Sequence, residues 1–114
     1  MACDIHPLNN LRVLRHLKGL GHDQAAVDDW YRHWVAEGLT ALEALAAPRA
    51  GEFLYSDQLS LADICLVPQL YNARRFDAPL EAFPTLLRAE AAAAALPAFV
   101  AAHPDTVLAQ EQAA

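Results

Sequence analysis

Leu59-Ser60-Leu61-Ala62-Asp63-Ile64-Cys65-Leu66-Val67-Pro68-Gln69 reads as the opening of a buried helix. Ser60 is placed to cap the free N–H groups of the first turn, and Asp63 sits at the third helical position. From there its carboxylate reaches back to the Ser60 N–H, replacing the usual Glu of a capping box. Leu59 and Ile64 bracket the cap in the positions of a hydrophobic staple. The apolar run that follows predicts a core-facing helix with Cys65 as a buried, reduced thiol. Pro68 removes one backbone hydrogen bond and is expected to bend it.

Working outward, the upstream block over residues 23–47 carries the clearest helical period. Val27, Trp30, Tyr31, Trp34, Val35, Gly38, Leu42 and Leu45 fall on one broad stripe, and Pro48 and Gly51 close it. A further block over residues 4–17 has Ile5, Leu8, Leu11 and Leu14 at every third position and ends at Gly19 and Gly21. Downstream, Pro84 is a favoured first-turn residue for a helix reaching about residue 95. Pro97 restarts a short turn, and the tail over residues 110–114 is expected to fray. There is no internal repeat and no alternation that predicts a strand. The expectation is an all-α bundle of about five helices, one domain over residues 1–114. The chain opens almost directly into a helix, which suggests further sequence upstream.

Composition agrees. Of 114 residues, 55% are hydrophobic with much of that Ala, and only 8% are aromatic, a balance that favours helix over strand. The formal charge of −6 argues against a broad nucleic-acid surface, which needs clustered cations. Two cysteines, Cys3 and Cys65, do not make a secreted disulfide framework. No apolar stretch reaches transmembrane length and no signal peptide is visible, so a cytoplasmic protein without membrane attachment is expected. Trp30, Tyr31 and Trp34 have the spacing of a core stripe rather than a ligand box. His16, His22, His33 and His103, with the two cysteines, offer no close ligand pairs of zinc-site type, and no metal site is expected.

Three segments carry a resemblance. Asp4-Ile5-His6-Pro7-Leu8-Asn9-Asn10-Leu11-Arg12-Val13-Leu14 is similar to the first helix of the C-terminal domain in zeta-class glutathione transferases, the maleylacetoacetate/maleylpyruvate isomerase type. Residues 60–69 resemble the buried helix found across the superfamily. Tyr71-Asn72-Ala73-Arg74-Arg75-Phe76, with Phe83-Pro84-Thr85, looks like the next zeta-class stretch. The likeness runs from Cys3 to about Asp105. It departs at Ser56-Asp57-Gln58-Leu59, where relatives usually have Gly-Asp followed by Pro or Thr, a difference confined to a loop.

The resemblance implies a glutathione-transferase C-terminal-type helical bundle, half of a homodimeric, glutathione-dependent cis–trans isomerase acting on a maleyl diketo acid. The thioredoxin-like N-terminal domain of such enzymes carries a Ser-Ser-Cys type motif that nothing here matches, the only serines being Ser56 and Ser60. The 114 residues alone are therefore expected to lack activity and to hold no catalytic residue. The family match implies glutathione contacts at His6, Asn10, Leu11 and Arg12, and substrate-carboxylate contacts at Arg75 and, as a second candidate, Arg12. Spacing supports only part of this: His6 and Asn10, four apart, would share one helical face. A lone arginine is by default a solvated surface charge, and Arg74 is expected to face solvent or a helix C-terminus. Matched position promotes Arg75, and arginine's planar fork suits a carboxylate. The rivals are a free-standing helical module for binding or assembly, and part of a general glutathione transferase.

Overall fold

Asn10 divides the first expected helical block in two. In the computed structural model, which describes residues 1–113, α1 (His6–Asn9) stops where Asn10 turns extended, at φ −73° and ψ 158°, and α2 (Leu11–Gly19) begins. The Asn10 Oδ1 accepts the Val13 N–H at 3.2 Å, while its Nδ2 donates to the carbonyl of Pro7 at 2.9 Å and of His6 at 3.3 Å. One side-chain amide thus ends one helix and caps the next, serving backbone groups that lack helical partners. The apolar spacing of Ile5, Leu8, Leu11 and Leu14 carries on across this break and conceals it.

The long helix α3 (Gln24–Ala46) starts under Asp23, whose carboxylate accepts the Ala26 N–H at 2.9 Å. Its buried line is Val27, Tyr31, Val35, Leu39 and Ala46. Trp30, Trp34 and Leu42 are half-buried on the flank and Leu45 is exposed, so the core stripe is narrower than the sequence implied and includes Leu39. α1 lies directly on α3. A Cβ at Gly38 would stand 2.2 Å from Ile5 Cγ1, so only glycine lets Ile5 reach its buried position. The Trp30 indole N–H reinforces this contact by donating to the Leu8 carbonyl at 2.7 Å.

α4 (Leu61–Arg75) has the predicted capping box between Ser60 and Asp63. The Asp63 carboxylate accepts the Ser60 N–H and hydroxyl, both at 2.9 Å, and also the Leu54 N–H at 2.8 Å. It therefore fastens the preceding loop as well as starting the helix. That loop folds tightly: a Cβ at Gly51 would meet the Asp57 carboxylate at 2.2 Å, while Asp57 accepts the Glu52 N–H at 2.8 Å. Leu59 and Ile64 are both exposed, so the expected staple buries little. Cys65 is half-buried rather than buried. α4 continues unbroken through Pro68.

Leu66, Leu70 and Ala73 of α4 join Leu86 and Ala89 of α5 (Pro84–Ala94) in the core, together with the α3 line. α5 leads to α6 (Pro97–Ala102), which packs on α7 (Pro104–Ala113). The tail expected to fray is helical to Ala113, and Ala114 lies outside the described residues. Among the described residues there are seven helices and no strand, against about five expected; the Asn10 break and α7 make the difference. The extents are 46 × 44 × 22 Å, the proportions of a slab.

Candidate functional site

α4 carries a ridge made by Ile64, Pro68 and Asn72, spaced four apart, and a cleft opens on each side of it. The first, of about 310 Å³, lies between α4 and the N-terminal segment and is lined also by Met1, Ala2, His6, Cys65 and Gln69. The second, of about 600 Å³, lies between α4 and the α6–α7 pair, where Tyr71, Arg75, Phe99 and His103 face it. Pro68 has no N–H to give the Ile64 carbonyl, so the ridge also presents a backbone acceptor released from the helix ladder.

Electrostatically the two clefts differ. Arg75 is exposed at the end of α4 and makes no ion pair or hydrogen bond among the described residues. Its charge reaches Tyr31: burial raises the Tyr31 pKa, and Arg75 partly offsets that rise. Arg74, one residue earlier, is committed. Its guanidinium grips the Glu90 carboxylate through two hydrogen bonds of 2.6 and 2.5 Å, joining α4 to α5. Those bonds, opposed by burial and aided by the Glu90 charge, hold its pKa above the usual value. Arg74 is exposed in the last turn of α4, as expected, and the ion pair with Glu90 is what the sequence did not announce. Beside Arg75 in the larger cleft, the Tyr71 and His103 rings meet edge to face at 5.7 Å.

The first cleft has an unusual inner wall. Gln69 is only 5% exposed, and its Nε2 has no hydrogen-bond partner. Such a donor, shielded from water, is one of the costlier features a folded protein retains. Asn9 Nδ2 is likewise unpaired, but Asn9 lines neither cleft.

Of the residues singled out from sequence, the fold puts His6 on the first cleft and Arg75 on the second, with the ridge between them. Asn10, Leu11 and Arg12 line neither. His6 and Asn10 do not share a helical face, because Asn10 is the extended residue between two helices and its amide is engaged locally. Leu11 and Arg12 are exposed on the first turn of α2. Sequence reasoning missed Gln69, Tyr71, Asn72 and His103. Cys65, Gln69 and Asn72 recur at helical spacing along α4, and that polar line was the available signal. Among the described residues no group of three His, Cys, Asp or Glu could hold a metal, and no helix is long and apolar enough to cross a membrane.

Comparison with known proteins adds a lineage. The family described as glutathione S-transferase, C-terminal domain, matches residues 24–107. A probable maleylacetoacetate isomerase of Vibrio cholerae is 47% identical over 106 residues, covering 92% of this chain and 49% of that protein. The holo structure of a bacterial maleyl pyruvate isomerase of the zeta class superposes with a TM-score of 0.87 at 42% identity, over 92% of this chain and 51% of that one. A maleylacetoacetate isomerase of Anaeromyxobacter dehalogenans, solved with GSH in its active site, gives 0.85 at 47% identity, over 90% and 47%. The chain spans about half the length of the relatives it matches.

Proposed function

Because the chain belongs to the glutathione S-transferase C-terminal domain family, we propose that it is the helical half of a glutathione-dependent cis–trans isomerase acting on maleylacetoacetate or maleylpyruvate. The observation that carries this reading is the pair of clefts meeting at the Ile64–Pro68–Asn72 ridge, with His6 on one and the unpaired cation Arg75 on the other. Isomerisation of a maleyl diketo acid needs a thiol beside a carboxylate-binding pocket, and adjoining clefts of different character suit that requirement.

Glutathione fits the first cleft: its walls include an imidazole and a buried amide donor without an acceptor, and no acidic side chain. When bound, glutathione supplies a thiolate that adds reversibly to the activated double bond and leaves after rotation about the carbon–carbon axis. His6 holds the peptide at the mouth of its cleft. Asn10, Leu11 and Arg12 are assigned to the same ligand on family position; because they line neither cleft, their contacts fall at its outer edge. Arg75 takes a substrate carboxylate and offers positive charge where enolate character develops. Arg12 is the second candidate for a carboxylate. Phe99 and Tyr71 keep water away from the reacting carbons.

The thiolate-supporting residues belong to a thioredoxin-like domain, and the active protein is a homodimer built from such two-domain subunits. The exposed faces of Trp34, Leu42 and Leu45 around a further cleft on α3 supply apolar surface for assembly. Two unpaired thiols, Cys3 and Cys65, suit a reducing compartment, here the cytoplasm. The test is direct. Residues 1–114 joined to a thioredoxin-like domain should turn over maleylacetoacetate or maleylpyruvate only when glutathione is present, and residues 1–114 alone should not. Enzyme-like turnover by the 114 residues alone would refute the division of labour.

A further inference from the structure

We infer that Gln69 is a ligand-binding residue of the α1–α4 cleft, its Nε2 donating to a carboxylate oxygen of a thiol peptide seated there; this rests on the function proposed above. Three polar or charged residues are buried in the described chain, namely Asn9, Asp63 and Gln69. Asp63 uses its carboxylate three times over, in the cap and the loop. Gln69 has no partner for Nε2 although it is 95% buried, and it lines an open cleft rather than a sealed void. A methionine would fill the same volume without stranding a donor.

The character of the missing partner follows from the walls. Gln69 Nε2 is a donor, the lining side chains also include the imidazole of His6, the amide of Asn72 and the thiol of Cys65, and no acidic residue lines the cleft. That set suits an oxygen-rich anion. Asn72 belongs to both clefts, so a ligand anchored on Gln69 extends across the ridge towards Arg75. A carboxylate is the stronger acceptor for a dry amide N–H, because charge-assisted hydrogen bonds gain most where water is excluded.

Two compounds could bring that carboxylate, the thiol peptide or the diketo acid, and separate probes distinguish them. In the protein at its natural full length, S-methylglutathione stands for the first and maleate for the second. Gln69→Met should weaken S-methylglutathione binding about tenfold by calorimetry, the size expected for one hydrogen bond to a charged group. Maleate affinity should stay unchanged. The ligand-free Tm of Gln69→Met should equal or exceed that of the wild type, because an orphaned donor is removed. The wild-type protein gives an independent readout: the Gln69 side-chain NH2 signals should shift downfield on titration with S-methylglutathione and stay put with maleate. Unchanged S-methylglutathione affinity, or side-chain signals that move only with maleate, would overturn the assignment. So would a Gln69→Met ligand-free Tm several degrees below wild type, since the amide would then already have a structural partner. Wild-type protein that binds no S-methylglutathione would defeat the proposed function itself. Wild-type isomerisation with an indifferent Gln69→Met would defeat only this inference.

Discussion

The Glu43 carboxylate of α3 accepts the Thr85 backbone N–H at 3.0 Å, and its other oxygen accepts that of Leu86 at 3.1 Å. These are the second and third residues of α5, whose own N-cap, Phe83, has no side-chain acceptor, and whose first residue, Pro84, has no N–H. A carboxylate from another helix therefore does the work of an N-cap and meets the positive end of the α5 dipole. Burial would raise the Glu43 pKa. Hydrogen bonds from the Thr85 side chain and from the Leu86 and Thr85 N–H groups, with the Arg88 charge, outweigh it and hold the group below the ordinary range.

Glu43→Gln should lower stability at neutral pH by about 1 kcal/mol, the usual worth of a cap. The sign of the pH dependence follows from the depressed folded-state pKa. The contribution is fully present above the unfolded glutamate value of about 4.3, and it is lost as pH falls through the lower folded value. Urea unfolding at neutral and acidic pH should show wild type and Glu43→Gln converging below about pH 4. A stability gap that persists or widens on acidification would contradict the cap.

Asp63 serves the Ser60 cap and, through Leu54, the loop before it. Asp63→Ala strands buried donors and should cost about 3 kcal/mol, several times the roughly 1 kcal/mol of Ser60→Ala. Asp63→Asn turns one acceptor into a donor facing an N–H and should fall between them. Chemical denaturation of the three variants checks the order. Ser60→Ala proving as damaging as Asp63→Ala would mean that the Leu54 contact contributes nothing.

The Ser60–Asp63 capping box and the helical class were legible because they depend on neighbours within one turn. What escaped depends on distance or on competition. Asn10 caps α2 inside an apolar period that continues on both sides of it. Leu39 and Leu45 both have claims on the α3 stripe by periodicity, and only tertiary packing buries the first and leaves the second exposed. Nothing local to Arg74 announces Glu90, sixteen residues away. Of the candidate site, His6 and Arg75 were singled out by family resemblance and lie on the two clefts, whereas the polar line through Gln69 gains meaning only when its amide is seen to lack a partner.

The Arg74–Glu90 pair joins the exposed side of α4 to α5, with the Arg side chain 50% exposed and the Glu side chain 12%. Solvent screening keeps such a pair modest despite its two-pronged geometry. A double-mutant cycle with Arg74→Ala and Glu90→Ala should give a coupling of about 0.5–1 kcal/mol at low salt. The coupling should shrink as ionic strength rises. Additive single effects at low salt would show that the contact contributes nothing measurable to folding.

Arg75 offers the sharpest test of function, and the full-length protein is needed for it. On the proposed function, the diketo acid carries carboxylate charge in the ground state and the transition state alike, so an arginine that contacts it should contribute to binding throughout. If the contact tightens as enolate charge develops, kcat falls together with kcat/KM when it is removed. A charge-assisted pair shielded on one side is worth about 1.5–3 kcal/mol, so Arg75→Ala should lose roughly ten- to a hundredfold in kcat/KM for the diketo acid. Arg75→Lys keeps the charge without the planar fork and should recover only part of that loss. Glutathione KM should hardly change, because Arg75 lies across the ridge from the cleft that holds His6 and Gln69. Tyr31 supplies an internal check on the same charge. Arg75 partly offsets the burial-driven rise of the Tyr31 pKa, so Arg75→Ala should move the tyrosine titration still higher, visible in its ultraviolet absorbance. Steady-state kinetics with each substrate varied separately decide the matter: a shifted Tyr31 titration with intact kcat/KM would leave Arg75 as a surface charge near the core and nothing more.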